Sequence, residues 1–318
     1  MTGSAAPYNG AMPGMRLPEF PRNLLAPRHW PAWLGAGVIW LIGQLPYRAL
    51  LWLGAGIGAV IVHVPSRRRR IARINIDWCF ADWSAAARTT LLNANLRDLG
   101  RMLVEFALGW MASDRHLARI PAHIEGLEHL AAARAQGRGV LLVGGHFSHL
   151  ELCARLISSR IGIAGMYRRM DSAVFEWLVL RARLHYADAM FDKDDIRGSV
   201  KYLRAGGTLW YAPDQDMRSK DTLFAPFFGI PAATITATHH LARLSGAQVI
   251  PFFHQRLPHG GYALRLAAPL ADFPSADILV DTTRVNACIE AMVRAAPAQY
   301  LWVHKRFKTR PAGERSPY

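Results

Sequence analysis

The sequence predicts an α/β fold, a mixed sheet flanked by helices, behind an N-terminal membrane-anchoring helix. Three observations carry this expectation. Beyond residue 120, short apolar runs alternate with helical patterns, as strands packed against helices do. Before residue 65, two uncharged apolar stretches follow one another. With 318 residues, the chain has ample material for a core. The expected divisions are an irregular segment at 1–29, an anchor at 30–64 and a globular α/β domain at 65–318.

Residues 1–29 are rich in Pro and Gly, which breaks regular structure. Trp30 to Leu45 reads WPAWLGAGVIWLIGQL, and residues 49–64 read ALLWLGAGIGAVIVHV. Each piece has 16 residues, short of the roughly 20 that span a bilayer. Trp30, Trp33, Trp40 and Tyr47 resemble an interfacial aromatic set. One spanning helix or a shallow hairpin is expected, with a buried helical hairpin as the alternative. The apolar part starts late and no small-residue cleavage site follows, which argues against a secretory signal. Arg16, Arg22 and Arg28 precede it and Arg67–Arg70 follow, so charge leaves the orientation open.

Residues 84–113 carry apolar positions at helical spacing and predict one or two amphipathic helices. Strands are predicted at 139–145, 162–167, 208–213, 248–255 and 262–269. Helices are predicted at 148–159, 171–187, 194–204, 234–245 and 276–295. Lys plus Arg number 38 against 23 Asp plus Glu, a net charge of +15. That charge attracts polyanions such as nucleic acid, anionic lipid or an acidic protein. Zinc-finger, RNA-recognition and helix-turn-helix patterns are absent from the sequence, so no nucleic-acid partner is expected. Cys79, Cys153 and Cys288 have no disulfide or zinc spacing, which fits a reducing compartment.

The stretch LLVGGHFSHLELCAR, residues 141–155, concentrates the chemistry. His146 follows a predicted strand, at the end where α/β sheets place ligands. Glu151 falls in the first turn of the next helix and is expected to accept the imidazole N–H, freeing the other nitrogen as a base. The two glycines allow close backbone approach. On residue types alone, a structural loop histidine remains an alternative. So does a metal set of His146, His149 and Glu151 with Asp214 and Asp216 from APDQD. Ser148 lacks the G-x-S-x-G elbow and is expected to cap a helix.

His146 to Glu151 resembles the H-x4-D/E signature of the glycerolipid acyltransferase superfamily. The whole chain is similar to the bacterial lipid A biosynthesis acyltransferases, the late lauroyl, myristoyl and palmitoleoyl transferases. The similarity rests on PRHWPAWLGAGVIWLIGQLPY (27–47), GVLLVGGHFSHLELCAR (139–155), GMYR (165–168), LWYAPDQD (209–216), FAPFFGIPAATITAT (224–238) and QYLWVHKRFKTRP (299–311). The resemblance implies an inner-membrane enzyme whose catalytic domain faces the cytoplasm. It implies an acyl carrier protein thioester as donor and a Kdo-bearing lipid A precursor as acceptor. His146 and Glu151 become the catalytic pair. Arg168, Asp214 and Asp216 become substrate-binding residues. Lys305 stands where that family usually has Arg, which keeps charge but loses bidentate phosphate binding.

A thioester is already activated, so no metal or other cofactor is expected. The acceptor hydroxyl needs a base, worth about 10²–10⁴-fold. Arg168 or backbone N–H groups are the candidates for steadying the oxyanion. The basic C-terminal run carries Arg306 and Lys308, expected to read phosphates or Kdo carboxylates. The rival functions are a metal-dependent phospholipid hydrolase and a non-catalytic membrane-bound binding protein.

Overall fold

The computed structural model describes residues 17–217 and 221–318. Of the irregular segment expected at 1–29, residues 1–16, with Arg16, lie outside the described residues; Arg22–Leu25 and Pro27–His29 form 3₁₀ turns. Helix α1 (Trp30–Gly43) and helix α2 (Tyr47–His63) are separated at Pro46, which lacks the N–H that would continue a helix. Helix α3 (Arg67–Cys79) starts where the Ser66 hydroxyl accepts from Arg69 N–H. Residues 85–111 form a single helix, α4 (Ala85–Met111), capped in the same way by Ser84.

Among the described residues, no single helix is long and apolar enough to cross a membrane. Only α2 and α3 taken together reach that composition, and they are bent by 86° at their break. α2 packs closely along α4 through glycines. A Cβ at Gly58 would collide with the Arg97 carbonyl, and one at Gly100 with the Gly58 backbone. The other faces of α1 and α2 stay open. Trp30, Leu34, Val38 and Leu41 are exposed at helical spacing on α1, and Trp52 and Val60 on α2.

The rest follows in order as α5 (Asp114–Leu117), β1 (Ala122–Glu125), α6 (Leu127–Ala135), β2 (Val140–Val143), α7 (Leu150–Ser158), β3 (Ala164–Tyr167), α8 (Ala173–Leu184), β4 (Ala189–Asp192), α9 (Ile196–Arg204), β5 (Thr208–Tyr211), β6 (Thr222–Phe227), β7 (Ile230–Ile235), α10 (Ala237–Ser245), β8 (Gln248–Arg256), β9 (Tyr262–Leu266) and α11 (Ile278–Ala295). The main sheet has the order β1-β9-β8-β2-β5-β3-β4. Its neighbours are parallel except β8 and β9, so the sheet is mixed, as predicted. Central β2 is buried on both faces, which explains its unbroken VLLV. Leu141 and Val143 enter one core cluster, Val140 and Leu142 the other.

The β6–β7 hairpin was not foreseen in the sequence. Pro226 and Pro231 face each other in it, and proline argues against a strand. Its turn residues Phe228 and Gly229 both have positive φ, 53° and 72°, as a tight hairpin turn requires.

Candidate active site

The site forms at the carboxyl ends of adjacent parallel strands. β2 and β5 pair with Val143 opposite Tyr211. Three residues beyond each lie His146 and Asp214, so the sheet brings together two side chains far apart in sequence. His146 Nδ1 and Asp214 Oδ1 are 2.5 Å apart. The His146 backbone N–H also donates to Asp214 Oδ2 at 2.8 Å, which fixes the carboxylate against the loop. Tyr300 adds a hydrogen bond to the same carboxylate. Gly145 makes room for this: a Cβ there would lie 3.0 Å from Ile289 and 3.4 Å from Asp214 Oδ2.

Burial pulls the His146 pKa down, but the charge and hydrogen bond of Asp214, with the charge of Glu151, hold it above its ordinary value. Burial pushes Asp214 up, but the charge and hydrogen bonds of His146 hold it well below the usual carboxylate range. Asp214 fixes Nδ1 and leaves Nε2 as the reactive position. The His146 side chain is 26% exposed. It lines a cavity of about 290 Å³ whose walls are mostly apolar, including Met102, Phe106, Ile163, Met166 and Met190.

The sequence predicts that Glu151 holds the imidazole, and here the structure differs. Glu151 Oε2 accepts from Trp110 Nε1 at 2.8 Å and from Arg183 Nε at 3.1 Å, and Oε1 takes a second Arg183 bond. A forked guanidinium outcompetes a single imidazole N–H for a carboxylate. Burial raises the Glu151 pKa, but Arg183 and then Trp110 bring it below the ordinary value. Glu151 and Arg183 thus present a fixed ion pair to the cavity wall. Sequence reasoning missed Arg183. Nothing in LRARLHY distinguishes it from Arg181, and only the fold of α8 against α7 and α4 does.

The other named residues separate. Arg168 sits directly after β3 and lines the cavity, with its side chain 69% exposed and paired to Asp171. Asp216 is buried and accepts from Thr309 N–H at 2.6 Å and Thr309 Oγ1 at 3.0 Å, so it fastens the C-terminal segment. Lys308 Nζ donates to the Asp216 carbonyl at 3.2 Å. Arg306 corrects the expectation of an open headgroup cluster. It is 2% exposed, donates to the Ala233 carbonyl at 2.6 Å and Thr234 Oγ1 at 2.8 Å, and covers the Phe227 ring. It anchors the β6–β7 hairpin.

His149 is fully buried and turned toward β8; burial, then the charge of Arg256, pushes its pKa down to about 3. The proposed five-residue metal set therefore does not converge. Ser148 caps no helix, since His149 is the N-cap of α7. Its hydroxyl donates instead to Asp98, in a buried network with Arg256, Glu105 and Tyr262.

A sequence model described as bacterial lipid A biosynthesis acyltransferase matches residues 17–309. The chain belongs to that family. It is 40% identical to the lipid A biosynthesis lauroyltransferase of Escherichia coli K12 over 304 residues, 95% of this chain and 99% of the relative. It is 39% identical to the palmitoleoyltransferase of the same strain over 302 residues, 94% of this chain and 98% of the relative. The myristoyltransferase of that strain is 27% identical over 311 residues, 95% of this chain and 94% of the relative. The lipid A acyltransferase resemblance seen in the sequence is thus established. The protein is an acyltransferase of lipid A biosynthesis, and the His146 cavity is the candidate seat of its reaction.

Proposed function

We propose that the enzyme moves a fatty acyl chain from an acyl carrier protein thioester to a hydroxyl on a 3-hydroxyacyl chain of a Kdo-lipid IVA-type acceptor. The observation that carries this reading is the His146–Asp214 pair at the edge of an apolar cavity. Such a cavity accepts a hydrocarbon chain and keeps water from a thioester. The acyl groups in the names of two relatives, lauroyl and palmitoleoyl, are the candidate chains.

His146 Nε2 takes the proton from the acceptor hydroxyl while its oxygen attacks the thioester carbonyl carbon. Asp214 stabilises the imidazolium that forms. The tetrahedral oxyanion then collapses, the C–S bond breaks, and the imidazolium returns its proton to the leaving sulfur. No acyl-enzyme is formed. Arg168, exposed at the cavity mouth, is positioned for the oxyanion or an acceptor phosphate. The Glu151–Arg183 pair holds the wall rigid and adds the negative charge that favours imidazolium.

Catalysis at the inner membrane, with the catalytic domain toward the cytoplasm, belongs to the same proposal. Its support is the exposed apolar face of α1 and α2, of the kind that meets lipid. The test is an assay of the full-length enzyme in detergent with acyl carrier protein thioester and purified acceptor. Mass spectrometry is expected to find the acceptor heavier by one acyl group. Free fatty acid as the sole product, or no product from this donor, would refute the proposal.

A further inference from the structure

Three metal-ligand side chains outside the catalytic pair meet in the core. His149 and Cys153 stand one turn apart at the start of α7, where Cys153 N–H donates to the His149 carbonyl at 3.0 Å. That spacing puts both side chains on one face. His254 reaches them from β8. All three are fully buried, and their donor atoms lie within 4.8 Å of one another.

Hydrogen bonding leaves this cluster unsatisfied. His149 Nε2 lies 3.0 Å from the His254 carbonyl, which can only accept, so Nε2 carries the hydrogen. Its Nδ1 lone pair remains. Ser148 Oγ is 3.3 Å from it but gives its hydrogen to Asp98. Among the described residues, neither ring nitrogen of His254 has a hydrogen-bond partner. Buried polar groups are nearly always paired, so an imidazole open on both nitrogens calls for another partner. The buried charge around the cluster is mixed: Arg256 opposes positive charge at His149, whereas at Cys153 the charge of Glu105 outweighs that of Arg256. Asp98 and Glu105 are both buried against the single buried Arg256. Arg101 reaches Asp98 only from the surface, at 3.9 Å.

We propose that His149, Cys153 and His254 bind one zinc(II) ion. Two imidazoles and a thiolate suit a borderline cation and exclude magnesium or calcium, which take oxygen ligands. The donors would close by about 1 Å to reach the roughly 3.5 Å separations of zinc ligands. On binding, the Cys153 S–H bond breaks, sulfur gives its electron pair to zinc, and the proton leaves to solvent. A water, or Ser148 Oγ beside His149, completes four-coordination. The ion would fasten the first turn of α7 to β8, three residues from His146, as a structural clasp.

The full-length protein, expressed with added zinc and purified in detergent, tests this by elemental analysis. About one zinc per chain is expected, falling below about a tenth in Cys153→Ala and in His254→Leu. Cobalt(II) in place of zinc should give a thiolate-to-cobalt absorption band that Cys153→Ala lacks. Circular dichroism separates loss of the site from loss of the fold. If either variant unfolds, the wild-type cobalt band decides. A folded wild type without zinc or without that band, stoichiometric copper in its place, or zinc that survives both substitutions would overturn the proposal.

Discussion

His146 with Asp214 and His239 with Asp281 are the same chemical pair in two settings. The Nδ1–Oδ separations are 2.5 and 2.8 Å. His239 sits on α10 and Asp281 on α11, and Asp281 also accepts from Ser275 N–H at 2.8 Å. Their side chains are 5% and 0% exposed, so this pair joins two helices in the core. His146 is 26% exposed and opens on a cavity. An imidazole–carboxylate contact alone therefore does not distinguish a base from a strut. What separates them is the second ring nitrogen and the space it faces.

The widest contrast comes from deleting each imidazole. His146→Ala should lower turnover by about 10²–10⁴-fold with little change in melting temperature. His239→Ala should do the reverse, costing about 1–3 kcal/mol of stability because Asp281 loses a buried partner, with turnover nearly kept. Activity assays and thermal melts on both variants check this. Equal losses of turnover in the two would erase the distinction.

Glu151 should fall between these extremes. Glu151→Gln leaves Arg183 charged and uncompensated in a buried wall, a cost of about 3 kcal/mol. It also removes one of the charges that raise His146. Turnover should fall about tenfold, equivalent to 1.4 kcal/mol in the barrier, alongside the lower stability. Denaturant midpoints measured with kcat test the coupling. A turnover loss with unchanged stability would make Glu151 a direct participant rather than part of the wall.

The sequence made the strand–Gly-Gly–His arrangement legible, because a buried β2 must be uniformly apolar and its end must turn sharply. It also named Asp214, but not as the partner of His146. That pairing depends on β5 lying beside β2, and strand order is a non-local property. Arg306 was misread for a related reason. A basic run signals a solvated or ligand-binding face only when the chain stays outside, and here the segment folds under the β6–β7 hairpin. The hairpin itself was hidden by its prolines. Trp110 and Arg183, which claim Glu151, come from two other helices and carry no local signature.

The pH dependence of kcat/KM in wild type and Asp214→Asn addresses the catalytic pair most directly. A general base works only when neutral, so the wild-type rate should rise as pH passes a pKa held above the ordinary 6.5. In Asp214→Asn the charge that raises it is gone and burial remains, so the rising limb should move to lower pH while the plateau falls. A limb that stays in place in Asp214→Asn, or one that His146→Ala retains at wild-type height, would contradict His146 as the base.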